Sequence, residues 1–269
     1  MVILFVWTTT TSSWSQPAAL PLGPQIAFIP IQADYLQVDN LDNAYLLNKQ
    51  FQLRKYNSKG TLLCTYSSSA YGPLYSVDAS NPLNVLLFYK DFNTIVALDN
   101  EFSELGTYQL AFRGYTDIGA VGYAQDNNFW VFDNTTLQLK KINAAGNVLA
   151  ASENLFTIGL NLDERPNFLL SRNNYVYVNA PENGIYTFDI NGVYYRQLPF
   201  PRLPSFQVRD QQLWFLDITT QKLVQFYLNR IGQQAYLLPE VGPIKMAKIG
   251  RDRLFLLTDK GLHIYPLLD

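Results

Sequence analysis

Along most of this chain apolar and polar residues alternate in short runs, and Asn, Asp, Gly or Pro closes each run. Alternation at period two puts successive side chains on opposite faces of an extended backbone, so the pattern predicts strands joined by tight turns. Beyond the prolines Pro17, Pro21, Pro24 and Pro30, no stretch carries a helical period. The chain therefore reads as all-β, and a long all-β chain is searched first for internal repeats.

One strand type recurs. Leu or Ile is followed three residues later by an aromatic or aliphatic residue and then by Asn or Asp: Leu53-Arg54-Lys55-Tyr56-Asn57, Ile95-Val96-Ala97-Leu98-Asp99, Leu139-Lys140-Lys141-Ile142-Asn143 and Ile185-Tyr186-Thr187-Phe188-Asp189. Leu223-Val224-Gln225-Phe226 and Leu262-His263-Ile264-Tyr265 are two further copies without the terminal Asn or Asp. The copies start at positions 53, 95, 139, 185, 223 and 262, so they lie 38 to 46 residues apart. That spacing is the length of one four-stranded propeller blade.

Each copy has the neighbours a blade requires. An apolar strand precedes it: Ala44 to Leu47, Val85 to Tyr89, Phe129 to Phe132, Tyr175 to Val178, Leu213 to Leu216 and Leu254 to Leu257. Runs apolar on both sides of the pleat belong between two packed layers, here adjacent blades. After the copy, turn residues such as Ser58-Lys59-Gly60 or Ile190-Asn191-Gly192 lead to an outer strand, for example Leu62 to Tyr66, Val148 to Ala151 or Tyr194 to Leu198. The sixth copy has no outer strand after it, whereas Gln25 to Ile29 is an unmatched strand before the first blade. The expectation is a six-bladed β-propeller of four-stranded antiparallel blades, its ring closed by the N-terminal strand, which leaves no open edge at the seam. Six copies argue against a seven-bladed ring and against a β-sandwich.

Composition narrows function more than fold. The 269 residues are 48% hydrophobic and 16% charged, enough for one large core and too apolar for disorder. A formal charge of −2 gives no global basic field, so nucleic acid is not an expected partner. One Cys and one His exclude an internal disulfide and a multi-His or Cys zinc site, and no cofactor or metal is expected. At the start, Val2 to Trp7 is apolar, too short for a transmembrane span, and runs into hydroxylated residues up to Ser15. Residues 1–15 read as an export signal truncated at its start, 16–24 as a Pro-rich segment, and 25–269 as a single propeller domain; a disordered leader is the alternative for the first of these.

The blades resemble those of NHL-type and YVTN-type six-bladed propellers over residues 25 to 269. More narrowly, Ser76 to Asn93 (SVDASNPLNVLLFYKDFN) and Asn183 to Tyr195 (NGIYTFDINGVYY) are similar to exported propeller proteins of Bacteroidota, a group largely of unassigned activity. The resemblance implies a periplasmic or outer-membrane-associated location, and a role accessory to outer-membrane secretion or assembly machinery would fit it. It implies no catalytic residues.

Single residues carry little catalytic promise. His263 occupies a slot that other blades fill with Arg54, Val96, Lys140, Tyr186 or Val224, as expected of a blade-surface position. Cys64 sits in an outer strand and reads as a packed thiol. Asn57, Asp99, Asn143 and Asp189 fall on separate blades and are expected to start turns rather than to bind metal. Asp163-Glu164, in the longest loop between blades, is the one acidic pair placed for glycosidase-type chemistry.

Two function classes follow. The first is a non-catalytic binding or scaffold module of the bacterial cell envelope, presenting one propeller face to a protein, peptide or glycan. The alternative is a carboxylate-dependent propeller hydrolase or lyase acting on a glycan. The binding face is expected where loops between blades meet the hairpins joining second and third strands, at Tyr71, Phe92, Phe112, Arg113, Tyr115, Arg165 and Arg202, with Phe156 and Phe200 in the same loops. Arg113, Arg165 and Arg202 would then point to one mouth. The opposite face, with Asp78, Asn81 and Pro82, is the second candidate.

Overall fold

The structure, a computed structural model, describes residues 17–268. The export-signal reading of residues 1–15 lies outside the described residues. Two short strands come first, β1 (Ala18–Ala19) and β2 (Ala27–Ile29). Blade 1 is β3 (Ala33–Val38), β4 (Ala44–Asn48), β5 (Leu53–Tyr56) and β6 (Leu62–Tyr66); blade 2 is β7 (Ser76–Asp78), β8 (Val85–Tyr89), β9 (Thr94–Leu98) and β10 (Glu104–Gln109). Blade 3 is β11 (Ile118–Tyr123), β12 (Phe129–Asp133), β13 (Gln138–Ile142) and β14 (Val148–Ala151); blade 4 is β15 (Phe168–Arg172), β16 (Tyr175–Ala180), β17 (Gly184–Asp189) and β18 (Tyr194–Leu198). Blade 5 is β19 (Phe206–Arg209), β20 (Gln212–Asp217), β21 (Lys222–Tyr227) and β22 (Gln233–Leu237). Blade 6 takes β23 (Ile244–Ile249), β24 (Arg253–Thr258) and β25 (Leu262–Pro266) from the end of the chain and β2 from its start.

The six-bladed propeller and its closure are thus as the repeat predicts. β2 runs antiparallel to β25, with Ala27 opposite Ile264, Phe28 opposite His263 and Ile29 opposite Leu262. The Gln25 side chain joins the same seam, accepting from the Tyr265 hydroxyl at 2.9 Å. The Pro-rich segment is part of the fold as well, which alternation could not show. β1 adds parallel to β22 as a fifth strand of blade 5, Ala18 against Tyr236 and Ala19 against Leu237. Leu20 and Leu22 pack between blades 5 and 6, and the Leu268 amide donates to the Pro21 carbonyl at 2.8 Å.

The core is divided among the six seams, each filled by its own apolar cluster. The second strand of each blade explains why those runs are apolar throughout. In β4, Ala44 and Leu46 face the seam with blade 6 while Tyr45 and Leu47 face the seam with blade 2, and all four are buried. In β8, Val85, Leu87 and Tyr89 face blade 1 while Leu86 and Phe88 face blade 3. Polar side chains tie the seams at their inner edges by bonding the backbone of the next blade. The Gln207 amide donates to Ile249 O at 3.1 Å and accepts from Ile249 N at 2.8 Å, and the Asp42 carboxylate of blade 1 accepts from the Asp252 amide of blade 6 at 3.0 Å. Burial pushes the Asp42 carboxyl above its usual range against those bonds.

The third-to-fourth-strand turns are built as the repeat implies. One side-chain oxygen accepts two amides in each: Asn57 from Lys59 and Thr61, Asp99 from Glu101 and Ser103, Asn143 from Ala145 and Asn147, Asp189 from Asn191 and Val193, all at 2.8–3.0 Å. Asn143→Ala should cost about 1 kcal/mol in urea unfolding, the net worth of such bonds, while Asn143→Asp should cost less. Equal stability of Asn143→Ala and the parent chain would refute this account of the turns.

Candidate functional site

A propeller has two faces. The connector face carries the loops between blades and the hairpins between second and third strands; the hairpin face carries the other turns. Along the axis each face opens into a cavity lined by the innermost strands. On the connector face the cavity is small, about 140 Å3, and is lined by Tyr35, Ser76, Phe168, Met246 and Lys248 among others. On the hairpin face it measures about 390 Å3. Blade 3 lines neither, because β11 is drawn against blade 4. A Cβ on Gly119 would lie 2.5 Å from Pro166 O and one on Gly122 2.4 Å from Leu169 Cδ1, so only glycine permits this approach.

The residues expected to bind a partner take three different situations. Tyr115 is a correction: its side chain is buried, 6% exposed, in the seam of blades 2 and 3, and its hydroxyl donates to Gly146 O at 2.8 Å. A long ring next to the 3-10 turn Leu110–Arg113 gains more by filling the seam than by facing water. Tyr71 is half-buried against blade 2, its ring 5.4 Å from that of Tyr89. Phe92 and Phe112 are exposed, at 57% and 85%.

Nor do the three arginines meet at one mouth. Arg113 leans its aliphatic stem on Gly146, in the turn between β13 and β14. Arg165 Nη1 donates to Asn134 O at 3.4 Å, and Arg202 makes a forked pair with Glu182, Nη2 to Oε2 at 2.8 Å. That guanidinium holds the Glu182 carboxyl below its usual range. Arg165 and Arg202 have each turned to an oxygen on a neighbouring hairpin, while Arg113 rests its stem on a turn, and spacing along the chain cannot reveal these partners.

Arg165 and Arg202 nevertheless edge two neighbouring apolar grooves on the connector face. One, of about 320 Å3, is lined by Leu137, Phe156, Leu160, Leu162, Asp163 and Arg165, with Phe156 77% exposed. The next, of about 620 Å3, lies between blades 4 and 5, with Phe200, Arg202 and Ile218 on its walls. The loop bearing the first groove is pinned to blade 4: Asn183 Nδ2 donates to Asp163 Oδ2 at 2.7 Å, and Tyr186 OH donates to Asn161 O at 2.5 Å.

The His263 ring lies tilted against that of Phe28, 4.7 Å between ring centres, its Nδ1 3.2 Å from Gln25 Oε1, and burial lowers its pKa. Burial pushes the Cys64 thiol up, away from the thiolate a nucleophile needs. Among the described residues no three His, Cys, Asp or Glu side chains gather as a cation site, and no helix is long and apolar enough to cross a membrane.

Two features of the innermost strands escape the sequence reading. Lys248 is 2% exposed, with its Nζ 3.3 Å from Phe206 O and no carboxylate among the residues lining its cavity; burial pushes its amine down to about 7. Arg172, Arg209 and Arg251 line the larger axial cavity together. Their recurrence near the blade period, at or just after the ends of first strands, was the available signal.

No family model matches the chain, and no curated protein matches it in sequence. Solved structures do match in fold. The WD40 domain of Neurospora crassa Pan2 superimposes with a TM-score of 0.62 at 10% identity, over 94% of this chain and 98% of that one. Virginiamycin B lyase from Staphylococcus aureus gives 0.57 at 13% identity, over 87% of this chain and 80% of the lyase. A Bacteroides caccae protein of unknown function gives 0.56 at 11% identity, over 76% of this chain and 81% of that one. At such identities the likeness concerns the propeller fold alone.

Proposed function

We propose that this protein is a non-catalytic binding or scaffold module of the bacterial cell envelope, whose connector face holds an extended segment of a partner protein or peptide. The observation that carries the reading is a pair of grooves on the connector face, one at the loop between blades 3 and 4 and one between blades 4 and 5, each lined mainly by apolar residues and edged by one arginine. Apolar anchors seated in such grooves supply affinity, and a carboxylate on the partner finds Arg165 or Arg202 at the rim. Among the large apolar side chains of the two grooves, Phe156 is the most exposed, at 77%. The envelope context rests on the leader and on the resemblance to exported Bacteroidota propellers, with an accessory role at outer-membrane secretion or assembly machinery as its most specific form. For glycan hydrolysis or elimination, Asp163 would have to act while one of its oxygens accepts from Asn183, which favours the binding reading.

The test is retention of envelope proteins on the immobilised propeller. Phe156→Ala, Arg165→Ala and Arg202→Ala together should abolish retention of whatever the parent chain holds, with the melting temperature within a few degrees because all three side chains lie at the surface. Retention that survives the triple variant would rule out these grooves as the docking surface.

A further inference from the structure

The hairpin face carries a second site, independent of the connector-face reading. β15 and β19 end at Arg172 and Arg209, and Arg251 follows the end of β23, so three consecutive blades each contribute an arginine to the lining of the 390 Å3 axial cavity. Blades 1 and 2, across the ring, bring Asp39 and Asp78 to the same lining, and Asp210 stands beside the arginines. The volume suits a small molecule.

The two sets of residues differ in how far the protein itself satisfies them. Asp39 is buried, and its carboxylate accepts from Leu41 N, Asn43 N, Asn43 Nδ2 and Tyr45 OH at 2.8–2.9 Å. Asp78 accepts from Ser80 N at 2.9 Å and Tyr123 N at 2.7 Å, which leaves its oxygens room for a further donor. The arginines are far less engaged. Among the described residues Arg172 makes no hydrogen bond or ion pair; Arg209 donates from Nη1 to Gly250 O; Arg251 Nε stands 4.0 Å from the Asp252 carboxylate. Each guanidinium has five N–H donors, so most of the hydrogen-bonding capacity of these three lining residues is left unused by the protein itself.

We propose that this cavity binds a small dipolar ligand, its oxyanionic group, a carboxylate or a phosphate, held by Arg172, Arg209 and Arg251 and its ammonium or hydroxyl donors directed to Asp78. Asp210 beside the arginines weighs against a polyanion, since each added negative charge would meet it.

Calorimetric titration tests this with two probes that share an α-amino-acid body and differ in the side-chain anion, L-glutamate and O-phospho-L-serine. At least one should bind saturably with a Kd of roughly 0.01–1 mM, more weakly at high salt, and the stronger of the two tells carboxylate from phosphate. Ethanolamine, which lacks the anion, should give no saturable heat. Arg172→Ala with Arg251→Ala should weaken binding at least about tenfold while the ligand-free melting temperature stays put, because both side chains are exposed. Absence of saturable binding for both probes would overturn the proposal. So would undiminished binding by the double variant, which would put the ligand elsewhere.

Discussion

A chain that begins at Ala33 should lose cooperative unfolding, whereas one that begins at Pro17 should melt in a single transition. The shorter chain lacks β1 and β2, so the backbone of β25 is left as an open edge and the seam between blades 6 and 1 loses Ala27, Ile29 and Ile31. Leu20 and Leu22 vanish from the neighbouring seam. Burying an aliphatic side chain is worth roughly 1.5–3 kcal/mol, so these losses rival the whole stability of an ordinary domain, about 5–15 kcal/mol. The open edge would also template pairing between chains, so the truncated protein should associate. Circular dichroism melts and sedimentation would show both effects. A single transition at the parent melting temperature would mean that blade 6 is stable without its fourth strand.

Lys248→Met should stabilise the protein at neutral pH, and the gain should shrink as pH rises. The amine titrates near 10.5 when exposed and at about 7 in its buried place. Between those values the unfolded chain binds the extra proton, so the stability of the parent chain climbs with pH across that window. Below about pH 7 both states are protonated and the cost of burying the charge is constant and greatest. That cost is on the order of 4–5 kcal/mol near neutrality, and roughly 3–4 kcal/mol of it should disappear by pH 10. Methionine matches the length of the stem and carries no charge, so the variant should show no such climb. Urea titrations of both chains at pH 6, 7.5 and 9 measure the difference directly. A constant difference at all three pH values would show that Lys248 is not the group responsible.

Much of this architecture was legible from the residue pattern because a propeller repeats a local unit. The third strands announce themselves through Leu53, Ile95, Leu139, Ile185, Leu223 and Leu262 at blade spacing. The second strands do so through runs like Val85 to Tyr89, whose two faces are both buried. The turn-forming Asn57, Asp99, Asn143 and Asp189 act on amides only two and four residues away. Closure of the ring was legible too, because an unmatched strand and an incomplete blade have one economical pairing. All of these are local interactions or their direct count.

What only the tertiary structure decided involves side chains that cross from one blade to the next. Tyr115 looked like a loop aromatic and fills a seam, because its hydroxyl has Gly146 O within reach. Arg113, Arg165 and Arg202 share a loop position in sequence, yet each is drawn to a different neighbour, Gly146, Asn134 or Glu182. β1 is two residues long between prolines, too short to show alternation, and it exists because β22 offers a free edge. Arg172, Arg209 and Arg251 are separated in sequence by whole blades and converge because three first strands end at one axis. Periodicity along the chain sets which face of a strand is apolar and where it turns; which distant oxygen a long side chain reaches, or which cavity it lines, depends on the ring that brings the blades together.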